Sequence, residues 1–163
     1  MKVYYAQMTV SGENYYIFST KKGLLFVGAP NHDLDEIQQF YPEAELVQNQ
    51  SINQKAIQEI TEYLNGERKE FDIPIDIQMG TELQRKVWLA IGGIPRGTTI
   101  NYSKLAKKVG QERAIRAVAT AVARNPLMIV LPCHRVVRKD GSIGQYRGGS
   151  EMKKDLLKLE SFS

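Results

Sequence analysis

The chain has 163 residues and only one cysteine, Cys133, with two histidines, His32 and His134. A single thiol excludes an internal disulfide and any zinc site that needs two or more thiolates. Long apolar runs are also missing. None approaches the roughly 20 residues that cross a bilayer, and no charged-then-apolar leader opens the chain. With 13 glycines and 6 prolines there is no collagen-like or low-complexity stretch. A hydrophobic share of 42% and a charged share of 25% are globular values, so disorder is excluded as well. The expectation is a soluble cytoplasmic protein, monomeric, with no membrane, metal or cofactor requirement.

Acidic residues are scarce in the second half. Residues 1–79 hold six Lys/Arg against twelve Asp/Glu, a balance of −6. Residues 80–163 hold sixteen Lys/Arg against six Asp/Glu, a balance of +10. A basic module attached to an acidic one points to nucleic acid, or to a solvated surface that is merely basic. The boundary in charge suggests two domains, 1–79 and 80–163.

The first half opens with three β-like runs, Val3–Val10, Asn14–Thr20 and Gly23–Gly28, separated by turn residues. A small antiparallel meander follows from that spacing. Helical stretches are expected near Asp33–Phe40 and Gln54–Leu64, the second with Ile57, Ile60, Tyr63 and Leu64 on one face. Phe71–Gln78 alternates and contains a proline, so it reads as an edge strand or an extended connector.

The second half reads as mostly helical. Thr81 is placed to cap a helix whose apolar face holds Leu83, Val87, Trp88 and Ile91. A short helix over Tyr102–Val109, the turn residue Gly110 and a second helix over about Glu112–Ala123 form either a helix-turn-helix or an ordinary helical hairpin. Asp140-Gly141 between two short runs is a hairpin signal that would supply a wing. The overall class is therefore α+β. Ala114, Ala117, Ala119 and Ala121 make the second helix small-sided, with Arg113 and Arg116 among them. That surface suits close approach to another helix or to a narrow groove, although alanine is also the best helix former.

The apolar run Leu127–Leu131 leads into Pro132-Cys133-His134-Arg135. A buried strand there would deliver a cysteine beside two basic residues, which favours thiolate. The competing reading is a buried structural cysteine. Neighbouring His134 need not touch Cys133, because adjacent side chains on a strand point to opposite faces.

The segment Pro132-Cys133-His134-Arg135-Val136-Val137 resembles the active-site segment of the O6-alkylguanine-DNA alkyltransferases. The likeness extends upstream through Arg116-Ala117-Val118 and Asn125-Pro126, and downstream through Gly144-Gln145-Tyr146-Arg147-Gly148-Gly149 to a helix with Lys153, Leu156, Leu157 and Glu160. Gly80-Thr81, Gln84, Val87-Trp88, Ile94-Pro95, Gly97 and Tyr102 fit as well, so order and spacing hold across about residues 80–160. The acidic half is similar to the family's variable RNase H-like domain.

The resemblance implies direct DNA repair. An alkyl group on guanine oxygen, with O4-alkylthymine as an open further substrate, would pass to Cys133 and stay there. His134 would serve as general base through a water, with Glu160 orienting it. Tyr102 would donate to the departing guanine. Arg116 would fill the stack left by the flipped nucleotide, with Ala114, Ala117, Arg113 and Arg135 also meeting double-stranded DNA. Asn125 would brace the cysteine turn, and Tyr146, Arg147 and Gly148 would form the pocket lip. The likeness implies no metal or cofactor. Leu83, Asn101, Ala119, Val122 and Arg147 depart from the family's common residues and bear on pocket size. The alternatives are a non-catalytic lesion-binding protein, which carries another residue at the cysteine position, and a winged-helix regulator with Cys133 as core.

Overall fold

The computed structural model describes residues 1–161. They fall into two compact units, Met1–Met79 and Gly80–Ser163.

In the first unit, β1 (Lys2–Val10), β2 (Glu13–Thr20) and β3 (Gly23–Val27) form the expected antiparallel meander. The first hairpin closes through Ser11 and Gly12, both at positive φ. Two such residues in a two-residue loop match the right-handed twist of the strands they join. A fourth strand, β4 (Glu45–Gln48), pairs parallel with β1, so the sheet is mixed, in the order β3-β2-β1-β4. Val3, Phe18, Leu25, Phe26, Ile37, Phe40 and Tyr41 fill its core. The stretch expected as a helix near Asp33 is a 3-10 helix, Leu34–Gln39. Helix α1 (Gln54–Leu64) follows. Buried Asn53 just before it accepts from Ser19 Oγ (2.7 Å) and donates to the carbonyls of Tyr4 and Asn49. Residues 71–78 run as an extended connector, with one bridge between Leu24 and Ile75.

The second unit begins with α2 (Glu82–Gly92). Thr81 and Gln84 form a reciprocal capping box, each side chain accepting from the other's backbone N–H. Val87, Trp88 and Ile91 are its buried face. Helix α3 (Tyr102–Lys108), the turn at Gly110 and helix α4 (Ile115–Ala123) make the helix-turn-helix. Asn101 caps α3 by accepting from Lys104 N (2.8 Å). Trp88 Nε1 donates to the Ala121 carbonyl (2.8 Å), which locks α2 onto α4. The unit closes with α5 (Ser150–Ser161).

Three expectations are corrected. Helix α4 starts at Ile115 rather than near Glu112, because Ala114 leaves the helical region and Gln111–Arg113 are exposed, with no apolar face to dock. The run Leu127–Leu131 is not a strand. It is a buried series of turns closed by Leu131 N onto the Leu127 carbonyl (2.8 Å), with Ile129 at φ 77°. A short apolar run alone does not distinguish these outcomes. The Asp140-Gly141 turn exists, but no strand follows it among the described residues. Instead β6 (Val136–Val137) pairs parallel with β5 (Ile100–Asn101).

That pairing positions the site. Asn101 lies opposite Val137, so Tyr102 at the start of α3 and Arg138 just beyond β6 come next, and β6 directly follows the Cys133–Arg135 turn.

Replacing Trp88 by Phe leaves the buried Ala121 carbonyl without its donor. The expected cost is about 1–3 kcal/mol. Faster amide exchange in α2 and α4 relative to α1 checks it, and equal exchange in all three helices counts against the lock.

Candidate active site

Cys133 is 4% exposed and opens a 3-10 turn, Cys133–Arg135. Asn125 builds the wall before it. Its side-chain oxygen accepts from Leu127 N (2.9 Å), and its amide donates to the Leu131 carbonyl (2.9 Å). The same side chain hydrogen-bonds the thiol. The short apolar run is thus folded back on itself and pinned at both ends by one asparagine.

Burial pushes the Cys133 thiol above its ordinary range, and the Asn125 hydrogen bond and the charges of Arg147 and Lys153 oppose that shift. The resting site therefore holds a thiol and needs a base to make it a nucleophile.

His134 follows Cys133 in the same turn. His134 is wholly buried and its Nε2 lies 2.9 Å from Glu160 Oε2. Burial holds the imidazole below the ordinary histidine range, with Glu160 pulling the other way. A neutral imidazole at neutral pH is the form that accepts a proton. Glu160 is itself buried on α5, and Arg135 grips it with two bonds, Nε to Oε1 at 2.9 Å and Nη2 to Oε2 at 2.7 Å. A third Arg135 bond reaches the Ile94 carbonyl. Arg135 is consequently corrected as a DNA contact. Its guanidinium faces inward and neutralises a carboxylate, which leaves none of that fork for phosphate.

Tyr102 is half-buried at the start of α3, and burial together with the nearby Cys133 thiol raises its hydroxyl pKa. It keeps its proton and stays a donor. Gly144, at φ 75°, sits against that hydroxyl: a Cβ there would lie 2.8 Å from the oxygen. Gly148 is constrained in the same way, its absent side chain leaving room for the Tyr146 ring and Met152. Tyr146 in turn stands edge-on to the His134 ring, 6.5 Å between centroids.

A cavity of about 610 Å³ opens beside Tyr102, lined also by Arg116, Ala119, Arg124, Arg138 and Gln145. Arg116, Ala117 and Thr120 are exposed on α4, and Arg113 is exposed in the turn before it. Ala114 is half-buried at the α4 start. Tyr102 and Arg116 thus share one cavity, while Cys133, His134 and Glu160 lie in the interior of the same unit.

Three residues at the site escaped the sequence reading as site residues. Arg124, half-buried, and Arg138, exposed, line the cavity, and arginines in a basic half carry no distinguishing signal. Lys153 is fully buried and donates to the carbonyls of Val136 (2.7 Å) and Gln145 (3.2 Å). Its Nζ is 6.0 Å from the Tyr102 ring centre, and burial lowers its pKa to about 8. A signal for Lys153 existed: with Leu156 and Glu160 it falls on the buried face of α5, and charge on an apolar stripe calls for a partner. Among the described residues no cluster of three or more His, Cys, Asp or Glu is placed to hold a metal ion.

Comparison with known proteins places this geometry. The sequence profile of the 6-O-methylguanine DNA methyltransferase DNA binding domain matches residues 82–162, and that family's ribonuclease-like domain matches residues 3–77. The chain belongs to the 6-O-methylguanine DNA methyltransferase family. It is 41% identical over 162 residues to the inducible methylated-DNA–protein-cysteine methyltransferase of Bacillus subtilis, covering 97% of this chain and 90% of that one. The methylated-DNA–protein-cysteine methyltransferase of Mycolicibacterium paratuberculosis is 44% identical over 105 residues, covering 64% and 63%. Among solved structures, the O6-methylguanine methyltransferase of Mycobacterium tuberculosis superposes with a TM-score of 0.85 at 29% identity, covering 98% of this chain and 93% of that one. A structure of Mycobacterium tuberculosis OGT in complex with DNA gives 0.82 at 28% identity, covering 99% and 94%. The expected α+β class, with a ribonuclease-like first domain and a DNA-binding second domain, holds.

Glu160→Gln keeps the shape and removes the charge that both His134 and Arg135 use. Breaking a buried pair in this way typically costs about 3–5 kcal/mol. Urea unfolding followed by the fluorescence of Trp88 measures it. A loss under about 1 kcal/mol, the scale of an exposed pair, counts against a buried charge network.

Proposed function

We propose that the chain repairs DNA directly, moving an alkyl group from the O6 atom of guanine in double-stranded DNA to the sulfur of Cys133, once per molecule. The observation that carries this reading is the buried Glu160–His134 pair beside a cysteine braced by Asn125.

His134 takes the Cys133 proton through a water, and Glu160 stabilises the imidazolium that forms. The sulfur attacks the alkyl carbon, an S–C bond forms, and the C–O bond to guanine breaks. The electron pair returns to the guanine ring, where Tyr102 donates a proton or hydrogen bond. The product is a thioether. It has no carbonyl for water to attack, and the chain offers no second thiol to accept the group. Transfer is therefore stoichiometric and irreversible.

The target oxygen is stacked inside the duplex, so the nucleotide must be flipped at a cost of a few kcal/mol. Arg116 enters the gap it leaves. The small exposed surface of Ala117, beside Ala114, lets α4 approach the narrow minor groove, and Arg113 contacts phosphate. The net +10 of residues 80–163 offsets the cost of flipping through phosphate contacts. The flipped base enters the cavity lined by Tyr102, Arg116 and Gln145. Nucleophile, base, carboxylate and donor all come from one unit, so a monomer suffices. A cytoplasmic location suits the chemistry, because reducing conditions keep the lone thiol free. No helix among the described residues is long and apolar enough to cross a membrane.

Incubation with an O6-methylguanine duplex should add about 14 Da to each chain and then stop, as covalent capture without hydrolysis requires. Peptide mapping should place the methyl on Cys133. Cys133→Ser should keep lesion-DNA binding and lose transfer. Binding with no mass gain in the unmodified protein would identify a lesion-binding protein instead.

Arg116→Ala should slow transfer from duplex DNA by roughly tenfold or more, since flipping costs a few kcal/mol. It should leave reaction with free O6-benzylguanine nearly unchanged. Equal losses on both substrates would remove Arg116 from the flipping step.

A further inference from the structure

The cavity beside Tyr102 has three arginines in its lining, Arg116, Arg124 and Arg138, and no Asp or Glu among the described residues that line it. Like charges around one cavity repel each other, and an anion seated among them relieves that repulsion. A flipped guanine is neutral and gives no such relief. The nucleotide that carries it brings a phosphate on each side, and the arginine fork matches phosphate oxygens. Arg116 is committed to the stack, which leaves Arg124 and Arg138 for that charge.

Arg138 is exposed, yet its backbone is fixed on both sides. Strand β6, paired with β5, ends just before it. Its N–H donates to the Ser142 carbonyl (2.8 Å), and its carbonyl accepts from Gly141 N (3.0 Å). Gly141 makes the turn at φ 88°. Asp140 latches it: Oδ1 accepts from both the backbone N–H (2.9 Å) and the hydroxyl (2.7 Å) of Ser142. Those two bonds hold the Asp140 carboxyl below its ordinary range, and the Arg138 charge adds to the shift, so the latch is ionised at neutral pH. A carboxylate on a basic surface weakens attraction to DNA. This one goes instead into the shape of a single turn.

We infer that the 138–142 turn is a built anion holder: Arg138 binds a phosphate flanking the flipped nucleotide and keeps that nucleotide out of the stack, and Asp140 is the positioning residue that aims it. The proposal rests on the alkyl-transfer reading above and deepens it by adding a phosphodiester subsite to the base pocket. Two arginines then have separate tasks. Arg116 fills the gap inside the duplex, and Arg138 holds the nucleotide that left it.

Arg138 has a second effect that the test must separate. Burial and the Cys133 thiol raise the Tyr102 hydroxyl pKa, and the Arg138 charge opposes them. That influence acts on any guanine in the pocket, with or without a phosphate. The ratio of the duplex rate to the free-base rate is therefore free of it.

The experiment compares single-turnover transfer, read by intact mass, for the unmodified protein, Arg138→Ala and Asp140→Ala. The substrates are free O6-benzylguanine and O6-methylguanine duplexes with a neutral methylphosphonate immediately 5′ of the lesion, immediately 3′ of it, at a distant position or nowhere. Both residues are exposed, and circular dichroism checks that each variant folds. In the unmodified protein one flanking methylphosphonate should slow transfer about tenfold relative to the distant one, the scale of a charge-assisted hydrogen bond. Arg138→Ala should lower the duplex-to-free-base ratio by about the same factor and should no longer respond to that methylphosphonate. Asp140→Ala makes the protein more positive, so diffuse attraction to DNA would speed transfer. The latch requires the opposite, a lower ratio with a smaller methylphosphonate penalty. The subsite is overturned if the losses from Arg138→Ala and from the flanking methylphosphonate multiply, or if duplex and free-base rates fall together. An Asp140→Ala protein as sensitive to the methylphosphonate as the unmodified one removes the latch. No transfer from any substrate by the unmodified protein overturns the alkyl-transfer reading instead.

Discussion

A carboxylate placed in a protein interior must recover in bonds what it loses in hydration. Glu160 does so through two hydrogen bonds from Arg135 and one contact with His134. The rest of the helical unit is organised around that requirement. Helix α5 must end with Glu160 facing inward, and the Cys133–Arg135 turn must present two consecutive basic side chains to one carboxylate. A 3-10 turn permits this where a strand would not, because adjacent strand residues point to opposite faces.

The second organising element is the two-residue pairing of β5 with β6. It is small, yet it joins the start of α3 to the chain leaving the cysteine turn. Tyr102 is thereby carried to the thiol's neighbourhood, and Lys153 ties the segment from Val136 to Gln145 beneath it. Tyr102 from α3, Cys133 and His134 from the central turn and Glu160 from α5 are brought into one unit, with no element carrying more than two of them. Burial then sets their protonation. The thiol and the tyrosine hydroxyl keep their protons and the imidazole stays neutral, all at neutral pH.

Much of this was legible in the amino-acid order. The three strands of the meander, the capped α2 and the helix-turn-helix each rest on local signals: alternation, a Thr–Gln capping pair and a glycine at the turn. Strand β4 was not legible. It is four residues long, and none of its side chains is buried, so no alternation marks it. Its place comes from parallel pairing with β1 across about forty residues of chain. Arg135 was misassigned because its sequence neighbours are basic and its half of the chain is basic. Its real partner lies twenty-five residues away on another element.

What the sequence determined by itself was the chemistry available: one thiol, a histidine beside it, a carboxylate in the last helix, and a charge imbalance suited to DNA. Residue type and short-range periodicity are local properties, and they survive without a fold. Tertiary structure alone decided which charges are spent inside and which stay exposed. Arg135 went to Glu160, Lys153 to two carbonyls and Arg147 across the pocket lip, while Arg116 stayed exposed. The reason is that burial and pairing depend on distances between segments far apart in the chain. A basic side chain looks the same in sequence whether it meets a phosphate, a carboxylate or a backbone carbonyl.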